Sequence, residues 1–308
     1  MNARTDLQTK TQPVTKVPAA SFAIFTIPKP FEDPHIACIQ RNAIASWCAL
    51  GSDIEVILIG DDAGVAETAI DFGVTHVNDV DRNEHGTPLV SSAFEIAKSV
   101  SDAPVLVYCN ADVILLHDFK ASLIQLLRAD ISEEFLAIGR RTDLDVDHSI
   151  DFNDRIAVKD LLEKTEQQGT LASIVCKEYF AFTRNLFHEV PPFAVGRGNW
   201  DNWMVANTKQ SGVPVVDLSD QTVAVHQNHG YQHIDAASAD RRKHCYVSGN
   251  EARENERLAG GKHIISGSTT CHRLTDSGVV KNLLPALNLK FWSDLPRFAR
   301  LVRGLFFS

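Results

Sequence analysis

A carboxylate and an amide interrupt the most apolar part of this chain. Residues 105–109 and 113–115 are apolar runs typical of buried strands, and Asn110-Ala111-Asp112 separates them. Because residues two apart in an extended segment point to the same side, Asn110 and Asp112 are predicted to face one point beyond a strand. Such oxygen ligands, completed by substrate phosphates, suit Mg²⁺ or Mn²⁺. The alternative is an ordinary strand end, since Asn and Asp are common in turns.

A second polar cluster is the segment Trp200-Asp201-Asn202-Trp203, which holds two of the four tryptophans. An aromatic ring beside a carboxylate can stack on a sugar while the carboxylate binds the sugar hydroxyls. A helix is predicted to begin near Asn199 or Asp201, since both are good helix caps. The alternative is that Asp201 only caps this helix and that the two tryptophans belong to the core.

Three histidines, His226, His229 and His233, lie within eight residues of one another, directly after the predicted strand 222–225. Imidazole is the commonest metal ligand among protein side chains. The spacing differs from the H-E-x-x-H pattern of zinc enzymes, so a closed zinc site formed by the histidines is not expected. Instead, we expect one histidine to bind a metal ion together with Asp112. A structural role for these histidines is the alternative.

Strands and helices alternate through the first half of the chain, where short apolar segments are separated by stretches with apolar residues at helical spacing. Strands are predicted at 21–26, 54–59, 74–77 and 104–109, and helices at 35–50, 63–72, 89–100 and 120–130. This alternation favours a mostly parallel sheet with helices on both faces, which binds ligands at the carboxyl ends of its strands. The polar residues that follow these strand ends are Thr26, Asp61, Asp62, Asn110 and Asp112.

The second half of the chain is predicted to continue the same architecture. Strands are expected at 135–139, 173–183 and 222–225, and a helix at 158–167. The segment 142–155 is rich in aspartate and is predicted to be an exposed loop.

The composition excludes several classes of function. The net charge is −9 over 308 residues, which gives no electrostatic case for nucleic acid binding. The chain has no G-x-G-x-x-G segment after its first strand and no G-x-x-x-x-G-K-[ST] segment, which disfavours a dinucleotide dehydrogenase and a P-loop hydrolase. The six cysteines are scattered without a C-x-x-C pair, which is typical of reduced thiols and predicts a cytoplasmic protein.

The two ends of the chain are predicted to differ from the part between them. Residues 1–20 are polar and are expected to form a flexible leader. Residues 290–308 combine phenylalanine, leucine and arginine at helical spacing, which predicts a basic amphipathic helix. One alternative is that this helix lies on the anionic inner surface of a membrane. The other is that it packs against the domain or a second subunit.

With these segments in place, the chain resembles the nucleotide-sugar glycosyltransferases of the GT-A fold, and within them the family 2-like enzymes. The resemblance covers residues 21–233 and rests on Asn110-Ala111-Asp112 in the Asp-x-Asp position, the Trp-Asp-Asn-Trp segment and the late histidines. It implies a Rossmann-like mixed α/β sheet flanked by helices, with a nucleotide-binding half at 21–118, an acceptor half at 119–275 and a C-terminal helical tail at 276–308. Asn110 departs from the family pattern, which leaves the metal requirement open.

The resemblance also implies roles for individual residues. A Mn²⁺ or Mg²⁺ ion would be held by Asp112 with His226 or His229, and Asp201 would be the base that takes a proton from an acceptor hydroxyl. The acceptor would be a glycan, a polysaccharide or a lipid-linked sugar, and the donor a nucleoside diphosphate sugar. The donor would be contacted by Thr26, Asp61, Asp62, Asn110, Arg197, Trp200 and Asn202, with the Arg197 guanidinium on phosphate.

Three other functions stay open at this point. A sugar-phosphate nucleotidyltransferase shares the sheet type, but it requires a glycine-rich loop that residues 27–30 lack. A metal-dependent hydrolase would use the histidine cluster. A catalytically degenerate protein that binds sugar nucleotides is favoured by the amide of Asn110.

Overall fold

The computed structural model describes residues 21–173, 176–230, 249–261, 270 and 272–281. The predicted leader at 1–20, His233 and the predicted amphipathic helix at 290–308 lie outside these residues.

The described residues contain twelve strands and seven helices, of which four strands and one helix had no predicted counterpart. The strands are β1 (Phe22–Thr26), β2 (Ile54–Ile59), β3 (Thr75–Val77), β4 (Val105–Cys109), β5 (Val113–Leu115), β6 (Leu136–Leu144), β7 (Thr170–Leu171), β8 (Lys177–Thr183), β9 (Val215–Asp217), β10 (Ala224–Gln227), β11 (His272–Thr275) and β12 (Gly278–Lys281). The helices are α1 (Pro34–Cys48), α2 (Val65–Phe72), α3 (Val90–Val100), α4 (His117–Arg128), α5 (Arg155–Gln168), α6 (Trp200–Gln210) and α7 (Asn250–Leu258).

The twelve strands form one mixed sheet, in which nine follow the order β12-β11-β9-β6-β8-β4-β1-β2-β3 and β5, β7 and β10 branch from this path at β6. Strand β1 pairs in parallel with β2 and β4, and β2 pairs in parallel with β3. Strand β8 is antiparallel to both β4 and β6. The predicted mixed α/β sheet with flanking helices is therefore confirmed.

Helices cover both faces of the sheet and bury two apolar cores. One core gathers around Trp47 of α1, whose indole nitrogen donates a hydrogen bond to the carbonyl of Val113, 3.0 Å away. The other core contains the stacked rings of Phe94 and Phe182, with Phe25 meeting Phe94 edge-on. The first contact fixes α1 against β5, the strand that directly follows the Asn110-to-Asp112 turn.

The prediction of an exposed loop at 142–155 is wrong in part. Strand β6 extends to Leu144, well beyond the predicted end at residue 139. The apolar side chains between the aspartates are buried in a third core with α5 and β10; they are Leu144, Val146, Ile150 and Phe152. Apolar residues that alternate with acidic ones are typical of a half-buried segment, and the count of aspartates concealed this pattern.

Three further observations concern the predicted tail, the membrane and the cysteines. Gly278–Lys281, inside the segment assigned to the tail, forms the antiparallel edge strand β12 beside β11. No helix in the described part of the chain combines the length and apolarity needed to cross a bilayer. The four cysteines within the described residues are free thiols.

Candidate functional site

The turn Asn110-Ala111-Asp112 joins β4 to β5 and is held by the backbone on two sides. The amide of Asn110 donates to the carbonyl of Glu178 at 3.0 Å, which continues the β4–β8 pairing for one more residue. The carbonyl of Asp112 accepts from the amide of Gln227, also at 3.0 Å. Asp112 is therefore placed by strand β10 as well as by its own turn.

The pairing of β10 brings two histidines to Asp112. His226 lies opposite Val113 in β5 and beside Asp143 in β6. The Nε2 atom of His229 is 2.9 Å from Oδ2 of Asp112, and the Nε2 atom of His226 is 3.8 Å from the same oxygen. One ligand atom from each of the three residues lies within 4.8 Å of the others, a spacing that allows them to hold one metal ion.

The second ring nitrogen of each histidine lies close to an oxygen atom. Nδ1 of His226 is 2.9 Å from Oδ1 of Asp143, and Nδ1 of His229 is 3.1 Å from the carbonyl of Gly230. A carboxylate or carbonyl at one ring nitrogen favours the tautomer that leaves the other nitrogen for a metal. The Oδ1 atom of Asp112 is buried and has no hydrogen-bond partner within the described residues. The donor set and this orphaned oxygen fit a divalent cation.

Asp112, His226 and His229 are called the triad, and the charges around them reinforce one another. Burial works to raise the pKa of Asp112, but the nearby His226, His229 and Lys29 outweigh it and hold the pKa below its usual value. Burial works to lower the pKa of His226, but Asp112 and Asp143 raise it above the ordinary histidine value. The cluster is therefore built around negative charge on Asp112, which is the form that binds a cation.

A cavity of about 210 Å³ opens beside the triad. It brings together six of the residues predicted from the sequence: Asn110, Asp112, Trp200, Asp201, His226 and His229. Its wall also includes residues that the sequence analysis did not select, among them Lys29, Arg141, Lys177, Glu178, Gly196 and Gly198.

Asp201 lies in the first turn of α6, which begins at Trp200. The cap of this helix is Asn199, which has a left-handed backbone with φ of 67° and makes no side-chain cap bond, so Asp201 is not the cap. Oδ1 of Asp201 is buried without a hydrogen-bond partner in the described structure. Burial raises the pKa of Asp201, although the nearby Lys177 ammonium acts in the opposite direction.

The Trp200 ring is both a core residue and part of the cavity wall. It packs edge-on against Tyr108, with 5.0 Å between ring centroids, and at 5.2 Å against Phe180. Trp203 instead packs between Phe187 and Phe193, away from the cavity lining.

The side chains of Asn110 and Asp112 do not face the same point, contrary to the prediction. Its side-chain amide donates to the carboxylate of Glu178, which also pairs with Arg141. Glu178 and Arg141 were missed because they lie inside apolar strands. The signal that could have found them is their charge: a buried strand does not carry Lys177-Glu178 or Arg140-Arg141 without a partner or a ligand.

Five predicted donor-binding residues do not line the cavity: Thr26, Asp61, Asp62, Arg197 and Asn202. Thr26 is completely buried. Asp61 and Asp62 both accept hydrogen bonds from Arg82, at 2.5 and 3.2 Å. Asn202 accepts one from the ammonium of Lys177 at 3.1 Å.

Arg197 is engaged by α7, a helix that the sequence analysis did not predict. Its guanidinium lies 2.7 Å from the carboxylate of Glu251. The buried side chain of Asn255 accepts from the amide of Ala194 and donates to the carbonyls of Ala194 and Gly198, each at 2.9 to 3.0 Å. Helix α7 thus holds the glycine-containing loop that forms one wall of the cavity.

No protein-family model and no curated protein sequence matches this chain. Solved structures with a similar fold include glucosyl-3-phosphoglycerate synthase from Mycobacterium tuberculosis in complex with phosphoglyceric acid, at 16% identity and a TM-score of 0.44, covering 79% of this chain and 81% of that one.

The same synthase with Mn²⁺, uridine diphosphate and glucosyl-3-phosphoglycerate is similar at 15% identity and a TM-score of 0.43, covering 86% and 88% of the two chains. TarS from S. aureus, residues 1–349, is similar at 8% identity and a TM-score of 0.45, covering 67% of this chain and 60% of that one. Values of this size describe a partial likeness of fold, and the functional assignment depends on the site itself.

Proposed function

We propose that this protein is a glycosyltransferase that moves a sugar from a nucleoside diphosphate sugar to an acceptor hydroxyl with the help of a divalent cation. The observation that carries the proposal is the meeting of the Asp112, His226 and His229 triad with the buried carboxylate of Asp201 in one cavity. A cation site and a carboxylate with an unsatisfied oxygen are the two parts that this transfer requires.

The ligand types favour Mn²⁺ over Mg²⁺. Mg²⁺ takes oxygen ligands almost exclusively, whereas two of the three ligands here are imidazole nitrogens. Asp112, His226 and His229 would hold the ion and leave further positions for phosphate oxygens. When bound, the cation supplies positive charge against the diphosphate that leaves the sugar.

In the proposed reaction the acceptor oxygen forms a bond to the anomeric carbon. The bond from that carbon to the β-phosphate oxygen breaks, and its electron pair leaves with the nucleoside diphosphate. Asp201 takes the proton of the acceptor hydroxyl. Its buried position suits this role, because the raised pKa of Asp201 makes its carboxylate a stronger base than an exposed aspartate. The Trp200 ring forms part of the cavity wall beside Asp201 and would pack against a sugar ring.

A screen of donors tests this function. Purified protein is incubated with UDP-, GDP- and dTDP-sugars, with Mn²⁺ or with a chelator, and with glycan and lipid-linked acceptors; released nucleoside diphosphate and transferred sugar are measured. UDP-glucose is the first donor to test, because UDP and Mn²⁺ are bound in a structure of the M. tuberculosis synthase. We expect Mn²⁺-dependent transfer from one donor class. Nucleotide binding without turnover of any donor would instead identify a binding protein.

A metal-dependent hydrolase is the second candidate, because two histidines and one carboxylate also form hydrolytic zinc sites. The two functions differ in their products. A hydrolase would release product at full rate without any acceptor and with Zn²⁺, whereas a transferase requires the acceptor hydroxyl. The nucleotidyltransferase is disfavoured, since the loop after β1 is held rigid by prolines and contains no glycine.

A further inference from the structure

The cavity contains a lysine, Lys29, whose ammonium group has no assigned role in the proposed reaction. Lys29 lies in the loop after β1, between Pro28 and Pro30, and its exposed side chain lines the cavity. Its Nζ atom is 3.5 Å from Nε2 of His229, the nitrogen that faces Asp112. The ammonium group is therefore next to the triad.

The backbone of Lys29 is fixed although its side chain is exposed. The buried Gln40 of α1 accepts a hydrogen bond from the amide of Lys29 at 2.6 Å and donates one to its carbonyl at 2.9 Å. The flanking prolines restrict the same backbone further. The ammonium group is thus attached to a rigid support, which lowers the entropy lost when it binds a ligand.

The other two cations of the cavity are already engaged. Arg141 pairs with Glu178 and lies 2.8 Å from Asp143, and Lys177 is buried and donates to Asn202. Within the described residues, Lys29 forms no ion pair with a carboxylate side chain. It is therefore the cation available to an incoming anion.

We propose that Lys29 binds the β-phosphate of the leaving nucleoside diphosphate. This assignment rests on the proposed function and adds a residue that the sequence analysis did not select. A nucleoside diphosphate sugar carries two negative charges on its diphosphate, which a divalent cation balances. Breaking the glycosidic bond creates a third charge on the β-phosphate, and the ammonium of Lys29 balances it.

A cation aimed at charge that appears during the reaction stabilises the transition state more than the bound donor. Lys29→Met is therefore expected to lower kcat by about 10²- to 10³-fold with a much smaller change in KM for the donor. Lys29→Arg, which keeps the charge, is expected to recover part of the loss. Lys159→Met, on the exposed face of α5, is the control for a lost surface charge.

Calorimetric binding with Mn²⁺ provides a readout that does not depend on turnover. The probes are UDP and UDP-glucose, or GDP and GDP-mannose if the guanine pair binds more tightly to the wild-type protein. Lys29→Met should weaken binding of the free diphosphate about tenfold or more, because a charge-assisted hydrogen bond to phosphate is lost, and binding of the sugar nucleotide only slightly, while Lys159→Met should change neither.

Two results would overturn the assignment in different ways. If the wild-type protein binds and turns over a donor, and Lys29→Met does the same with unchanged kcat and unchanged diphosphate affinity, Lys29 has no such role and the proposed function stands. If the wild-type protein binds neither nucleotide pair, the proposed function fails and the role of Lys29 fails with it.

Discussion

At the scale of single residues, the site depends on how the two histidines are oriented. Both Nε2 atoms face Asp112, while the Nδ1 atoms lie against Asp143 and the carbonyl of Gly230. Burial works to raise the pKa of Asp143, but His226 and Arg141 lower it below its usual value. Asp143 is thus negatively charged beside the His226 ring, and in the proposed metal site it would be a positioning residue.

Replacement of Asp143 tests this orientation. Asp143→Asn keeps the size of the side chain but removes its charge, so Mn²⁺ affinity should fall by about 10- to 100-fold. Electron paramagnetic resonance titration of free Mn²⁺ measures the effect, with the exposed Asp160→Asn of α5 as the control. Equal Mn²⁺ affinity in both variants would show that the His226 ring needs no support from Asp143.

The role of Asp201 predicts a separation of binding from turnover. Asp201→Asn should bind the donor as the wild-type protein does and lose about 10²- to 10⁴-fold in transfer, because the amide cannot accept the hydroxyl proton. As the proposed base Asp201 would act in its ionised form, so wild-type transfer should increase with pH as the carboxyl loses its proton. Because burial raises this pKa, the increase should occur above pH 3.8, the ordinary value. Full transfer by Asp201→Asn would exclude it as the base.

The structure brings Asp112, His226 and His229 together, whereas several of the predicted donor contacts lie away from the cavity. Asp112 and the histidines could be found because each is a polar residue at the end of an apolar run. Asp61 and Asp62 satisfied the same criterion, but Arg82 from a later loop binds both of them. Such a partner lies about twenty residues away and leaves no local pattern in the sequence.

At the scale of elements, β10 and α7 assemble the cavity. Strand β10 inserts between β5 and β6 and carries His226 to Asp112. Helix α7 holds the loop from Ala194 to Gly198 through Asn255. Burial works to raise the pKa of Glu251 in the same helix, but hydrogen bonds from Asn83, Thr87 and Arg197 lower it to about 2. These contacts join three distant parts of the chain.

Removal of the Asn255 side chain tests the attachment of α7. Asn255→Ala leaves the buried amide of Ala194 and two carbonyls without this partner, so the free energy of unfolding should fall by about 1–3 kcal/mol. Urea denaturation measures it, with the exposed Asn153→Ala as the control. A loss no larger than that of the control would show that water replaces these hydrogen bonds at little cost.

Charged residues explain two of the features that the sequence missed, helix α7 and the extension of β6. Helix α7 has charged residues at five of its nine positions, and its buried residues are Ala252 and Asn255. Too few apolar residues mark its inner face for a helical period to be recognised. The extension of β6 was missed for a related reason, because it contains the charged residues Arg140, Arg141 and Asp143, which interrupt the apolar pattern.

At the scale of the whole molecule, the alternating pattern of the first hundred residues was sufficient to predict the parallel part of the sheet. The order of the later strands was not predictable, because β8 enters antiparallel between β4 and β6, and β10 pairs with both β5 and β6. Such pairings join residues far apart in sequence, and a local pattern does not specify them. The division of the chain at residues 118 and 275 stays a prediction.

The amphipathic segment at 290–308 also stays a prediction. One experiment distinguishes its two alternatives, which are binding to a membrane surface and packing on protein. If it lies on an anionic membrane, the full chain should co-sediment with phosphatidylglycerol vesicles in low salt, and a chain ending at residue 289 should not. Equal behaviour of the two chains, together with a lower melting temperature of the shortened one, would show instead that the segment packs on protein.

The central claim is that Asp112, His226 and His229 hold the cation on which a nucleoside diphosphate binds. Anomalous X-ray diffraction from a crystal grown with Mn²⁺ and UDP measures this directly. We expect one strong manganese peak in contact with the Asp112 carboxylate and both Nε2 atoms, with a phosphate oxygen on the same ion. A crystal in which UDP is bound but manganese lies elsewhere, or in which the triad keeps its direct contacts without an ion, would contradict the account.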